Sequence, residues 1–300
     1  MEPEQPLFSI IIPTYARPRQ LAACLQSLAR LDYPQDRFEV IVVDDGSETS
    51  PEAVVASFCG QLDVTLLTQQ HAGPAAARNT GALWAKGEIL AFTDDDCAPA
   101  PDWLQNLAAR FDTAADCAVG GRTLNALADN PYSTASQLIV DVVYTHYNAN
   151  PDQASFFATN NLAVPADRFK KTGGFDATFF PFVSEDRDFC NRWLHQGYRM
   201  IHAPEVLVYH AHALTFRTFL RQHFNYGRGA FRFHKARARR DSGRSIVEVK
   251  FYLNLLGLLR DPISQVPGRR ALLLATLLVV WQIANTLGFL WEWVTQTGVR

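Results

Sequence analysis

Apolar and polar positions along the chain follow two alternating periods. Phe8 to Ile12 is a run rich in β-branched residues closed by Pro13, the pattern of a strand buried on both faces. Pro18 then stands where a helix can begin, and Leu21, Leu25 and Leu28 recur at helical spacing to about Arg30. Phe38 to Val43 repeats the strand pattern and ends in Asp44-Asp45-Gly46-Ser47, and a helix is expected from Pro51 to about Phe58. Leu62 to Leu67 alternates as a third strand. Pro74 to about Lys86 reads as a helix stopped by Gly87, and Glu88 to Thr93 as a fourth strand. Strands and helices alternating over short links predict an α/β fold, a Rossmann-type and mostly parallel sheet with helices on both faces.

Further on, the spacing predicts a helix over Pro101 to Phe111 and a strand over Cys117 to Gly121. Residues 122–154 are polar and aromatic with weak periodicity and are left without elements. Phe156 to Val164 reads as a strand interrupted by Asn160-Asn161, whose amides either reach a ligand or close a bulge. Lys171 to Asp176 is a glycine turn, and Ser184-Glu185-Asp186 opens a helix that runs to about His195 with Gly197 as its stop. A strand is expected over Glu205 to Tyr209.

Two strand ends break the apolar pattern with acids. Asp94-Asp95-Asp96 closes the fourth strand, and Asp44-Asp45 closes the second. Adjacent carboxylates repel one another and are not buried unpaired. They are either a solvated turn or the ligands of a divalent cation; carboxylate oxygens select Mg²⁺ or Mn²⁺. Ligands of open α/β sheets bind at the carboxyl edge of the strands, so two acid clusters on one such edge point to a site. No G-x-G-x-x-G follows the first strand and no G-x-x-x-x-G-K-[ST] occurs, which excludes the dinucleotide fingerprint and the P-loop. Phosphates would then be handled by metal and basic side chains.

Composition narrows the class. A chain of 300 residues with 48% hydrophobic and 19% charged residues is long enough for a full core and has no disorder signature. A net charge of -2 argues against a general nucleic-acid binder, although residues 221–244 carry eight Lys or Arg against one acid. Five widely spaced cysteines without C-x-x-C pairs make neither a zinc site nor a disulfide framework. The acidic, proline-bearing start lacks the pattern of a signal peptide, so the chain is expected to begin in the cytoplasm.

The ordered set of motifs resembles the family 2 glycosyltransferases of the GT-A fold. The matching residues are Ser9-Ile10-Ile11-Ile12-Pro13-Thr14-Tyr15, Val42-Val43-Asp44-Asp45-Gly46-Ser47 and Gly73 through Arg78-Asn79. Gly87-Glu88 leading to Asp94-Asp95-Asp96, then Gly173-Gly174-Phe175-Asp176, and Glu185-Asp186 with Arg192 complete it, over roughly residues 8–212. The resemblance implies inverting transfer of a sugar from a nucleotide-diphosphate donor to a hydroxyl-bearing glycan or lipid-linked acceptor. It implies that Pro13, Tyr15 and Asp45 border the nucleobase. Asp94 and Asp96 match the metal-binding D-x-D, with Asp95 between them on the donor side. In the Glu185-Asp186 pair, Asp186 matches the general base; on its own it is also an ordinary first-turn acid. Arg78 either reaches the diphosphate or pairs with Asp45, and His210 or His212 is expected near the metal. The stretch Gln222 to Gly229 has no Arg-Trp pair, which favours adding a single sugar over processive synthesis. A sugar-nucleotide nucleotidyltransferase, or a scaffold that keeps the fold without turnover, remains an alternative.

Residues 271–291 contain no charge and are long enough to span about 30 Å of hydrocarbon. They either cross a bilayer or dock as a buried helix on the catalytic domain. Trp291 and Trp293 suit an aromatic belt, while Gln282 and Asn285 weaken a span. Residues 246–260 read as an interfacial amphipathic helix. The expected division is a transferase domain over 1–215, a basic acceptor-side linker over 216–245, and membrane-associated helices over 246–300. Basic residues before the apolar run place the catalytic part on the cytoplasmic face of the membrane.

Overall fold

The computed structural model describes residues 6–181, 183–240 and 268–298. Strands β1 (Phe8–Thr14), β2 (Phe38–Asp44), β3 (Val64–Thr68) and β4 (Ile89–Phe92) lie in the order β3-β2-β1-β4, all parallel. Every residue of β1, β2 and β4 is buried, which is why they read as continuous apolar runs. Successive side chains alternate between faces. Ile10 and Ile12 meet the layer of α1 (Pro18–Leu28), α2 (Glu52–Ala56) and α4 (Trp103–Thr113). Ile11 and Ile41 meet the opposite layer, where α3 (Pro74–Trp84), α6 (Ala166–Thr172) and α7 (Glu185–His195) pack. Leu21, Cys24, Leu25 and Leu28 form the buried stripe of α1, and each fully buried Leu contributes about 1.5–3 kcal/mol.

The second half of the sheet is mixed. β7 (Leu162–Pro165) runs antiparallel to β4, and β6 (Ala118–Asn125) antiparallel to β7. β8 (Met200–His210) is parallel to β6 and carries the short β5 (Cys97–Pro99) antiparallel on its outer edge. The helix α3 ends at Trp84, before Gly87, and the expected strand over Phe156 to Val164 is present only from Leu162, after a 3-10 turn over Thr159–Asn161. Asn161 closes a bulge: its amide donates to the carbonyls of Arg122 and Val206 and accepts from the Trp103 indole. Within the stretch left without elements, β6 continues to Asn125 and α5 (Pro131–Tyr147) follows, capped by Asn130.

The expected basic linker is helical over its described part, α8 (Phe216–Arg240). Residues 246–260, the expected interfacial helix, lie outside the described residues. α9 (Gly268–Thr297) is long and apolar enough to cross a membrane, and it docks along one face on α8 and α5. Leu274, Leu278, Trp281 and Gly288 are on the buried face; Leu272, Val279, Ile283, Leu287 and Leu290 are exposed. Gly227 of α8 and Gly288 of α9 set the crossing, since a Cβ on either would strike the partner helix backbone at Asn285 or Phe224. Near the end of α9 the Glu292 side chain, 1% exposed, accepts from Arg228 at 2.8 Å and Arg232 at 2.7 Å.

Candidate active site

The carboxyl edge of β1, β2 and β4 opens into a cleft of about 410 Å³. Pro13, Tyr15, Asp45, Arg78, Asp94, Asp95, Asp96, Glu185, Asp186 and His210 all line it, whereas Asp44 and Asn161, also candidates from the sequence, do not. At its rim Ala16 takes a left-handed backbone (φ 54), a strained turn that puts both Tyr15 and Arg17 on the cleft wall.

The two acids after β2 do different work. Asp44 folds its own turn by accepting from the amide and hydroxyl of Ser47. Asp45 accepts from the Ala72 and Gly73 amides at 2.9 and 2.8 Å and from the Gln69 side chain at 2.7 Å. It therefore holds the loop before α3, whose His71 ring stacks on Tyr15 with centroids 4.2 Å apart. Three donors already occupy a carboxylate with about four acceptor sites, and the His71 Nδ1 lies 2.9 Å from its Oδ2 as well. The expected nucleobase contact has at most one site of Asp45 left to use.

The acid cluster after β4 is divided among partners. Asp95 is buried and accepts from the Thr14 hydroxyl at 2.7 Å and from Arg17 at 3.2 Å. Burial pushes its carboxyl up to about 6 against the opposing pull of Arg17 and Thr14. Asp96 is set beside His210 because β5 pairs with β8 in the register Cys97 with His210; the Nε2 lies 3.1 Å from its Oδ1. Burial alone would raise Asp96, but the hydrogen bond and charge of His210, with Arg17, bring it down to about 2. The same pairing raises His210 against its burial. His212 stacks on His210 and falls to about 4, through burial and the charge of its neighbour.

These donors suit a divalent cation. Asp96 and His210 present a carboxylate and an imidazole to the same point, while Asp94 in the same cleft pairs with Arg78 and Asp95 with Thr14 and Arg17. The Cys97 sulfur is also close, but burial raises its thiol well above the usual range, so it stays protonated and is a poor ligand.

Arg78 links this cluster to the second acid pair. Its guanidinium, 4% exposed, donates to Asp94 at 2.6 Å and to Glu185 at 3.2 Å. Of the two partners weighed from sequence, Asp45 is not the one it takes. Asp186 follows Glu185 on the first turn of α7, partly open to the cleft, and accepts the Arg187 amide at 2.7 Å. Burial first, then the Glu185 charge, raise its carboxyl to about 7, while Arg187 and Arg78 oppose the rise. The segment carrying the pair is fixed from behind. Arg192 donates to the Thr172 and Gly174 carbonyls and pairs with buried Asp188, and Asn79 makes two hydrogen bonds to the Phe175 backbone. Arg192 and Asn79 are thus positioning residues for the glycine turn.

Several cleft residues were not selected from sequence. Arg17 and Thr14 are among them, as are Ser133, Ser136 and Gln137 of α5 and Gln222 and Tyr226 of α8. The signal for α5 was present in Asn130-Pro131, a cap followed by proline at the first helical position. Asn160 lines the cleft and accepts from the Thr123 hydroxyl, while its neighbour Asn161 closes the bulge.

A GT-A sheet carries an acid cluster on its carboxyl edge and a second acid pair across the cleft, and the family match identifies the class as a glycosyltransferase that moves sugar from a nucleotide-sugar. The chain belongs to glycosyl transferase family 2, whose model matches residues 9–180. Glycosyltransferase AglE of Haloferax volcanii is 28% identical over 226 residues, 75% of this chain and 73% of the relative. The pre-mycofactocin glycosyltransferase of Mycobacterium tuberculosis is 29% identical over 74% of this chain, but the match spans only 46% of that relative. Among solved structures, the mannosyltransferase PcManGT from Pyrobaculum calidifontis, in complex with GDP-Man and Mn²⁺, superposes with a TM-score of 0.67. It is 22% identical, with 97% of this chain and 88% of that one covered. Residues 1–349 of TarS from S. aureus give a TM-score of 0.56 at 19% identity, covering 97% and 92%.

Proposed function

We propose that the protein transfers one sugar, with inversion, from a nucleotide-diphosphate donor to a hydroxyl acceptor, with Asp186 as general base. The observation that carries this reading is the placement of Asp186 in the same cleft as the acid cluster, joined to it through Glu185 and Arg78. Pro13, Tyr15 and Asp45 border the nucleobase end, and Arg17 and Arg78 bring positive charge toward the diphosphate. Asp94, Asp96 and His210 would hold Mg²⁺ or Mn²⁺, which when bound supplies charge to stabilise the departing diphosphate. Asp186 takes the acceptor's hydroxyl proton as its oxygen bonds to the anomeric carbon. The bond from that carbon to the diphosphate oxygen breaks on the opposite face, and nucleoside diphosphate leaves. A carboxyl raised to about 7 is suited to this, because a general base works best with its pKa near the working pH.

The same reading places the chain on the cytoplasmic face of a membrane, with α9 lying against it. One face of α9 is committed to α8 and α5, and its Glu292 is paired with two arginines, so the apolar outer face is left for lipid. A panel of nucleotide sugars with Mn²⁺ tests the reaction. Release of nucleoside diphosphate with an inverted product by NMR is expected; pyrophosphate release or a retained anomer would overturn it.

A further inference from the structure

On the far side of Asp186 a second cavity, of about 180 Å³, opens between α5, α8 and α9. Val140, Ala158, Val183, Asp186 and Tyr226 line both it and the donor cleft, so the two spaces meet at the carboxylate. Beyond that junction Ile139 and Val143 of α5, Phe156, Ala230 of α8 and Trp281 of α9 give an apolar wall, and Ser184, His234, Gln282 and Asn285 supply polar positions around it. Protein interiors leave few voids larger than a water molecule, so a lined space of this size beside a reactive carboxylate is a candidate binding site.

We propose that this cavity binds the apolar part of the acceptor, an amphiphile whose hydroxyl is presented to Asp186. A glycan face laid along Val143, Phe156 and Trp281 would leave the hydroxyls on that face without partners, at a desolvation cost that an alkyl or prenyl chain does not incur. The end of the ligand at Asp186 must carry a hydroxyl, because that carboxylate has a proton to accept. α9 supplies both sides of the route. Its Trp281, Gln282 and Asn285 form the outer wall of the cavity, and its opposite face is the exposed row of Val279, Ile283 and Leu287. The two amides that interrupt the apolar run in the sequence therefore face the cavity. Arg187, whose guanidinium lies 5.7 and 5.4 Å from the Tyr147 and Phe156 ring centres, forms a cationic rim. The class of ligand is thus a hydroxyl-bearing lipid or a glycoside with an apolar aglycone. This assignment rests on the transferase reading for the role of the hydroxyl, and on the cavity alone for the apolar part.

Methyl, hexyl and octyl β-D-glucoside, titrated below micelle formation into the full chain, test it by calorimetry. Affinity is expected to rise about fourfold per methylene as the chain enters the cavity. Ala230→Trp, which fills the space, is expected to weaken octyl glucoside at least tenfold, while Ile283→Ser on the outer face leaves it unchanged. Equal affinity for the methyl and octyl compounds overturns the proposal. So does loss of octyl binding in Ile283→Ser with retention in a folded Ala230→Trp, which would put the ligand on the outer face of α9. If Ala230→Trp fails to fold, the chain-length series on the unaltered protein decides. Titrating nucleotide sugars with Mn²⁺ into the same protein separates the two readings. Chain-length-dependent glucoside binding without donor binding removes the transferase assignment and leaves the cavity; donor binding with no chain-length dependence removes the cavity alone.

Discussion

At the parallel edge each carboxylate is matched to a donor: Asp45 to the loop before α3, Asp94 to Arg78, Asp95 to Thr14 and Arg17, Asp96 to His210. At the helical wall of α5, α8 and α9 the space beside Asp186 is bounded by Val143, Phe156, Ala230 and Trp281. One region is built to balance charge, the other to take up apolar bulk, and Asp186 stands at their junction. Labour is thus divided across the cleft. A nucleotide diphosphate needs cations in fixed places, whereas an acceptor needs a surface matched to its own chemistry and one base in reach. The base is raised toward neutrality by its burial and, after that, by the charge of Glu185, with Arg187 and Arg78 opposing the rise.

The comparison breaks most visibly at Arg78. Arg78→Met leaves Asp94 and Glu185 without their shared partner, and removing one member of a buried ion pair costs about 3–5 kcal/mol. Urea unfolding reads that loss. Because the Arg78 charge lowers Asp186, the same variant is expected to move the rising limb of the pH–rate profile to higher pH. Next in size is Asp96→Ala, expected to weaken donor binding in the presence of Mn²⁺ by about two orders of magnitude, the scale of losing one electrostatic partner in such a site. Calorimetry with donor and metal checks it, and unchanged affinity would remove Asp96 from the metal site.

On the helical wall the effects are smaller. Glu292→Ala leaves Arg228 and Arg232, both partly solvated, without their shared carboxylate and is expected to loosen α9 by about 1–3 kcal/mol. Faster proteolysis of α9 with an unchanged donor affinity would confine the change to this wall. The smallest effect at neutral pH is expected for His223→Phe. His223 is packed among Phe219, Tyr226 and Trp281, neither ring nitrogen has a hydrogen-bond partner among the described residues, and burial lowers it to about 3. A histidine whose folded pKa is depressed contributes stability above its unfolded value near 6.5, and that contribution is lost as pH falls toward 3. Thermal unfolding from pH 7 to 4 should therefore show a shallower decline in the variant than in the unaltered chain.

The two regions were also unequally legible in the amino-acid sequence. β1, β2 and β4 are buried on both faces and read directly as strands, and the acids that end them stand out because nothing in a buried strand requires them. α5 was hidden for a physical reason. Ile139, Val142 and Val143 face the core while Ser133, Ser136 and Gln137 face the cleft, so its surface carries two demands and no clean period. The part of the basic stretch within α8 is helical, and its arginines find partners on other elements: Arg228 and Arg232 on Glu292, Arg240 on Asp188. Run length alone flagged α9, but only its packing separates a face committed to protein from a face left apolar. Long-range pairs such as Asp96 with His210 and Arg78 with Glu185 depend on sheet order, which local spacing does not encode.

The junction itself is tested most directly by Asp186→Asn, measured for donor affinity and for turnover in the same preparation. The account predicts donor affinity within about threefold of the unaltered protein and a kcat lower by two to four orders of magnitude, roughly the scale of losing a general base. In the unaltered protein kcat/KM should rise with pH as a carboxyl held well above the ordinary carboxylate range loses its proton, and that limb should vanish in the variant. A variant that loses donor binding while turning over normally at saturation would contradict the account and move the base elsewhere in the cleft.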